Sequence, residues 1–319
     1  MKHLKLIVVV LMISLSSCTK NDDISTIYKG DVILKTQQQI DDFGEKGYIE
    51  VTGTVTVGDR VNGPTSEIIN LNGLRKLISI GEDLIITRNA KLVNLKGLNN
   101  LVSVEGVFII EHNENLTNLN QLSTLTSIGG LAIKNNAVLE NINGLSNLLI
   151  VNKEIDISSN NSLINIDGLS SISTLDYLFI NENNALINID GLSTITKVEK
   201  EIMIKDNNVL TNINGLNNLS SVGASFFIEN NTMLSNIDGL NKISSIGGGL
   251  EIKNNSIIKN LNGLINLTSV DNIDIHNNIA LKDLCAIRSM IISTETSFSF
   301  RGNGYNPFPQ KFIDGECSN

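Results

Sequence analysis

Apolar and polar positions follow one plan along this chain, and the plan returns every 23 or 24 residues. Residues 128–150 show one copy. Ile128, Leu131, Ile133, Leu139, Ile142, Leu145 and Leu148 are apolar, with Ile150 a candidate eighth, and Asn136 interrupts them. Leu131 and Ile133 alternate with Ala132 and Lys134, which predicts a short strand with the two aliphatic residues pointing inward. The last Leu of each "NGL"-like phrase (Leu74, Leu98, Leu122, Leu145, Leu169, Leu192, Leu216, Leu240, Leu264) marks nine such copies. A period in the low twenties predicts stacked coils of a solenoid. At about 4.8 Å per rung, nine rungs give a rod of about 43 Å before its caps.

Two columns of this repeat are Asn throughout. One is Asn89, Asn113, Asn136, Asn160, Asn183, Asn207, Asn231, Asn255 and Asn278; the other is Asn70, Asn94, Asn118, Asn141, Asn165, Asn188, Asn212, Asn236 and Asn260. A bend inside a stack strands backbone N–H and C=O groups, and a buried Asn amide satisfies both kinds. The columns therefore predict structural ladders, with about 1–3 kcal/mol lost where one member is removed. Complete occupancy suits structure better than a row of sugar or metal ligands. A third column (Asn72, Lys96, Asn120, Asn143, Asp167, Asp190, Asn214, Asp238, Asn262), mostly followed by Gly, predicts a corner with left-handed backbone.

The outward residues of the predicted strands, in rung order, are Ile85/Thr87, Ile109/Glu111, Ala132/Lys134, Asp156/Ser158, Phe179/Asn181, Met203/Lys205, Phe227/Glu229, Glu251/Lys253 and Asp274/His276. Three middle rungs break the polar-outward rule by aligning Phe179, Met203 and Phe227, with Tyr177 at the edge. Such a stripe would bury roughly 300–400 Å² in a partner, near the scale of a functional patch. Tyr177, Phe179, Asn181, Met203, Lys205, Phe227 and Glu229 are thus candidate partner-binding residues. A protein partner, a second copy of the chain, packing under a loop and plain sheet propensity all remain open.

The N-terminus adds a location. Lys2 and Lys5 precede the apolar run 6–13, too short to span a bilayer and in the order of a signal peptide. The run ends at Leu15, Ser16, Ser17, Cys18, which resembles the lipobox of bacterial lipoproteins; that resemblance implies lipidation at Cys18. An ordinary secretory signal with an incidental Cys is the alternative. Thr19, Lys20, Asn21, Asp22 and Asp23 resemble the surface-export signal of Bacteroidota lipoproteins, and read equally as a solvated tether. Without Lys2 and Lys5 the chain keeps 22 Lys+Arg against 33 Asp+Glu, net −11, a poor match for nucleic acid or an anionic membrane. Cys285 and Cys317 remain after lipidation, and in an exported chain such a pair reads as a disulfide closing about 30 residues, stabilising by about 3–4 kcal/mol.

The phrases "NLNGL", "NLKGL", "NINGL" and "NIDGL", each followed by "xxLxSIxG"-like text, resemble leucine-rich repeats and, more narrowly, the receptor L-domains of growth-factor receptors and of many Bacteroidota lipoproteins. The resemblance implies a right-handed β-solenoid of about nine 23–24-residue turns with helical N- and C-terminal caps. Residues 34–44 resemble the family's entry helix, and Thr36 with Gln39 makes a capping-box pair on local grounds. Residues 284–317 resemble its closing segment. Ile40 and Phe43 are expected over one end of the core, and Leu284, Ile287, Met290 and Ile291 over the other. A spacing change at 58–67 departs from the pattern. The resulting division is a signal peptide (1–17), a lipidated Cys and tether (18–30), and a solenoid (31–319) made of an N-cap with the first turn (31–66), repeats (67–282) and a disulfide-closed C-cap (283–319). The family implies binding and names no ligand.

No nucleophile elbow, phosphate loop, zincin phrase or calcium loop is present in the sequence, and the mature chain's two His, His112 and His276, fall about seven rungs apart. Asp167 and Asp190, on adjacent rungs, read as turn formers before they read as a cation pair. The expectation is a non-enzymatic outer-membrane lipoprotein, lipid-anchored and cell-surface exposed, that binds another protein without cofactor or metal. A homodimer stays open, as does a glycan-binding lipoprotein of a nutrient-capture system, against which the absence of Trp counts.

Overall fold

The computed structural model describes residues 26–59, 66–294 and 296–319. The apolar positions of each copy face one continuous interior, and Leu131, Ile133, Leu139, Ile142, Leu145 and Leu148 are all fully buried. Hydrophobic burial of this row, repeated rung on rung, forces neighbouring copies into parallel strand pairing. The strands Glu154–Ser158, Tyr177–Asn181, Ile202–Lys205, Phe226–Glu229, Gly249–Lys253, Asn272–His276 and Ser297–Arg301 pair in order, one residue for one. They belong to a 16-stranded parallel sheet that reaches back to the first rungs. A narrower ladder (Thr174–Leu175, Lys197–Val198, Ser221–Val222, Ser245–Ile246) runs beside it. The architecture is that of a repeat-like, parallel-stranded solenoid.

The variation between 23 and 24 residues has one location. From the short strand to the next core residue, Ile128 to Leu131, Leu175 to Leu178 and Val270 to Ile273 are steps of three, whereas Val104 to Phe108, Val151 to Ile155 and Val198 to Ile202 are steps of four. The slip appears as a register shift between Val104 and Val107. It lies between two ladders, so neither ladder loses register.

Each Asn of the buried column binds three rungs together. The Asn183 backbone N–H and Nδ2 both donate to Asn207 Oδ1 (3.1 and 3.3 Å), while Nδ2 also donates to the Ile157 carbonyl at 2.8 Å. Asn183 Oδ1 in turn accepts from the Asn160 N–H at 3.1 Å. All nine members are fully buried. The row continues to Asn303, whose Nδ2 donates to Asn306 Oδ1 at 3.0 Å. At the other end Asn89 Oδ1 has no partner among the described residues.

The left-handed residue is not in the Asn/Asp–Gly column, where the sequence reading put it. It immediately precedes each ladder Asn: Arg88, His112, Asn135, Ser159, Glu182, Asp206, Asn230, Asn254 and Asn277 have φ between 54° and 59°. That conformation costs a residue with a side chain roughly 1–2 kcal/mol, and the adjacent amide bonds hold it in place. The "NGL" phrase instead forms a short 3₁₀ turn, as in Asp190–Leu192. The second Asn column closes this turn: the Asp190 N–H donates to Asn188 Oδ1 at 3.1 Å. Its glycine serves close approach, because a Cβ on Gly191 would lie 2.0 Å from the Ile166 carbonyl of the preceding rung. Gln121 is the exception that shows the constraint. On the rung before it, Leu95 donates its N–H to Gln121 Oε1 at 3.1 Å, Gly97 takes φ 123°, and the 3₁₀ turn is missing.

Both ends are covered. Helix α1 (Gln37–Lys46) starts with the reciprocal Thr36/Gln39 capping box and buries Ile40 and Phe43. The far end is closed by α2 (Arg288–Thr294), which buries Met290 and Ile291, and by α3 (Pro309–Asp314), which buries Phe312. Cys285 and Cys317 form a disulfide with Cα atoms 4.8 Å apart.

Three expectations need correction. Ile150 is about half exposed, and Val151 takes the inward position because the short strand is one residue out of phase with the longer one. Ile85 and Thr87, expected outward, are fully buried although Ile85 stands outside the main core. Ser66, within the segment of changed spacing, lies beside them: its N–H donates to the Arg88 carbonyl at 2.9 Å. The tether boundary at 30 is also too late. Ile27–Tyr28 pairs with Glu50–Val51, and Tyr28 packs on Phe43 and Tyr48 at ring distances of 5.8 and 5.3 Å.

Asn183→Ala strands donors and acceptors on three rungs and is expected to cost about 1–3 kcal/mol in urea unfolding, whereas Asn184→Ala, on the exposed position beside it, should stay within about 0.5 kcal/mol. Gly191→Ala forces a Cβ into the neighbouring carbonyl and should lower the same unfolding free energy by about 1–3 kcal/mol.

Candidate functional site

The outward stripe forms as its spacing requires. Phe179 pairs with Met203, and Met203 with Phe227, each directly opposite in the parallel register. A parallel ladder spaces them about 4.8 Å apart, so the apolar row is about 10 Å from first to last rung. All three side chains are half-buried, while their sequence neighbours Leu178, Ile180, Ile202, Ile204, Phe226 and Ile228 are fully inside. Strand alternation thus separates core from surface one residue at a time.

Tyr177 lies on the same face as Phe179, with ring centres 5.7 Å apart. Its other side is held by Lys200, whose ammonium stands 4.8 Å above the Tyr177 ring and 2.9 Å from Asp176. The Asp176 hydrogen bond is the main reason that the Lys200 pKa is raised, with burial opposing it and Tyr177 adding a smaller push. The opposite flank is Asn181, Lys205 and Glu229, with Lys205 Nζ 3.5 Å from the Glu229 carboxylate. Asn181 Oδ1 is buried without a hydrogen-bond partner among the described residues.

Both ends of the stripe are bounded by compensated charge. Before it, Asp156 pairs with Lys134 at 2.5 Å. After it, Lys253 bridges Glu251 at 2.5 Å and Asp274 at 2.9 Å, and His276 Nε2 lies 2.6 Å from Asp274. Burial pulls the Lys253 pKa down, but the hydrogen bonds to Glu251 and Asp274 outweigh it and leave the group above its ordinary value. Four groups of the stripe therefore stand between two patches of paired charge.

The structure brings together all seven candidate binding residues. It keeps His112 and His276 on distant rungs, and it places Asp167 and Asp190 as exposed openings of successive 3₁₀ turns. Cys18 and the expected signal peptide lie outside the described residues, as do part of the expected tether and most of the 58–67 segment. Among the described residues no three His, Cys, Asp or Glu side chains gather to hold a metal ion, and no helix is long and apolar enough to cross a membrane.

Sequence reasoning missed two features. The Lys200–Asp176 clamp on Tyr177 joins loop residues of adjacent rungs, which a strand-by-strand reading does not compare. A second exposed apolar row, Ile49, Ile78 and Val102, runs beside the short strands and borders a depression of about 400 Å³; Leu149 resumes it after Thr126. Its signal was present as the residue after each inward Leu77, Leu101 and Leu148. No family model matches the chain, and no curated protein matches its sequence.

Lys253 supplies a pH test. Its raised pKa means that its contribution to stability is complete below the unfolded lysine value of about 10.5 and is lost as pH rises through the folded value. The stability gap between the native protein and Lys253→Met should be open at pH 8 and shrink above pH 11 in urea denaturation.

Proposed function

We propose that this chain is a leucine-rich-repeat solenoid of the receptor L-domain type, right-handed, anchored to the outer membrane through a lipid on Cys18, and that it acts without catalysis by binding another protein. The observation that carries the binding reading is the in-register row Phe179–Met203–Phe227, bordered on both sides by ion-paired side chains. Water gains nothing from three such side chains in line, whereas a partner covering them removes apolar area and leaves the flanking ion pairs at a wet rim. A stable interface buries about 800 Å² per partner. The stripe's half-buried side chains offer on the order of 200–300 Å², enough for part of the centre of one, with Asn181, Lys205 and Glu229 as part of its margin. The rod shape supports an exposed role, since a solenoid offers walls for contact. An adhesin or a component of a surface complex fits these features; self-association through the same row is the competing occupant.

Phe179→Ser/Phe227→Ser tests the reading. Both side chains point outward, so the double variant should fold and be anchored normally, yet lose the neighbours that crosslinking captures on intact cells. Retention of every captured neighbour overturns the role of the stripe. Loss of a dimer band alone assigns the row to self-association.

A further inference from the structure

On the outward face the basic side chains of the flanking column lie against acids rung by rung: Lys134 with Asp156, Lys205 with Glu229, Lys253 with Glu251 and Asp274, and the His276 imidazole beside Asp274. The series breaks on the last strand. Arg301 is exposed, and no described residue makes an ion pair or a side-chain hydrogen bond with its guanidinium. It borders a depression of about 520 Å³ lined also by Glu251, Asp274, His276, Ser297 and Ser299. His276 Nε2 lies 3.2 Å from Ser299 Oγ, so that the hydroxyl and the imidazole face the cavity together. The strand Ser297–Arg301 ends the sheet, and nothing follows on its outer side in the strand order.

We propose that this depression receives a carboxylate of the same protein partner that covers the Phe179–Met203–Phe227 row, an inference that rests on the binding role of that row. An open guanidinium presents two parallel N–H donors that match a carboxylate, and the Ser297 and Ser299 hydroxyls supply further donors. Charge selects among anions. Glu251 and Asp274 border the same depression and share Lys253 as their partner, so a monoanion on Arg301 meets less repulsion there than a dianionic phosphate. Three rungs separate Phe227 from Ser299, about 14 Å along the solenoid. The partner segment therefore combines an apolar cluster with an Asp, a Glu or a C-terminal carboxylate about 14 Å away, which is about four residues of extended chain.

Selection of a displayed library of random 12-residue peptides on the full-length protein in detergent tests this. The expected outcome is a motif with aromatic or aliphatic residues followed at about four positions by Asp or Glu. The selected peptide should bind Arg301→Ala about tenfold more weakly, bind Arg301→Lys with intermediate affinity, and lose its preference for Glu over Gln on Arg301→Ala. Peptides that need Phe179 and Phe227 but show no acidic position, or that bind Arg301→Ala unchanged, overturn the carboxylate site and leave the stripe intact. A selection that yields no peptide dependent on Phe179 and Phe227 overturns both.

Discussion

The structure depends on a corner that cannot pair with itself. Where each turn leaves its long strand, one residue sits in the left-handed region and the next backbone N–H points into the interior, away from any strand partner. A buried and unsatisfied N–H costs about as much as a lost hydrogen bond, and nine such groups would exceed the net stability of an ordinary domain. The Asn column resolves this by having each amide take the N–H of the rung before and give its own to the rung after. Because every bond runs between rungs, the corner is satisfied only if successive turns are in register. Register in turn decides which side chains become neighbours on the outside.

That dependence explains how much could be read from the chain. Asn183, Phe179, Met203 and Phe227 were legible because a period of 23 or 24 residues fixes their relations before any coordinate is known. The interior of each rung followed for the same reason, as did α1, whose capping box lies within four residues. The left-handed residue was not legible. It is Arg, His, Asn, Ser, Glu or Asp on different rungs, and its backbone is imposed by the following Asn rather than by its own propensity. Nor was the burial of Ile85 and Thr87, beside which Ser66 pairs with Arg88 outside the repeat pattern.

The C-terminal strand was hidden for another reason. Ser297–Arg301 continues the alternation of the sheet, with Phe298 and Phe300 turned toward Phe312 of the cap. A helix separates it from the last full repeat, and it lacks the "NGL" phrase by which the other rungs announce themselves. Asn303, 25 residues after Asn278, is its remaining signature. The charge pattern of the outward face becomes readable only once this strand is set beside Asn272–His276, since Arg301 then falls at the end of a column of matched pairs. Glycine shows the reverse case, in which one residue type explains another's geometry: Gln121 in the glycine column alters the turn of the rung before it.

The slip between short and long strands also bears on how such a chain changes over generations. Gain or loss of a single residue there is absorbed in the link and leaves both neighbouring ladders untouched, as the three-residue and four-residue steps already demonstrate. Duplication or excision of an entire repeat is equally silent, because each new amide finds the same donor and acceptor above and below. A shift of one position between the left-handed residue and its Asn has no such escape. The fold therefore accommodates growth in whole units and single-residue changes at one seam, so a rod of this kind can lengthen without disturbing the register of the turns already present.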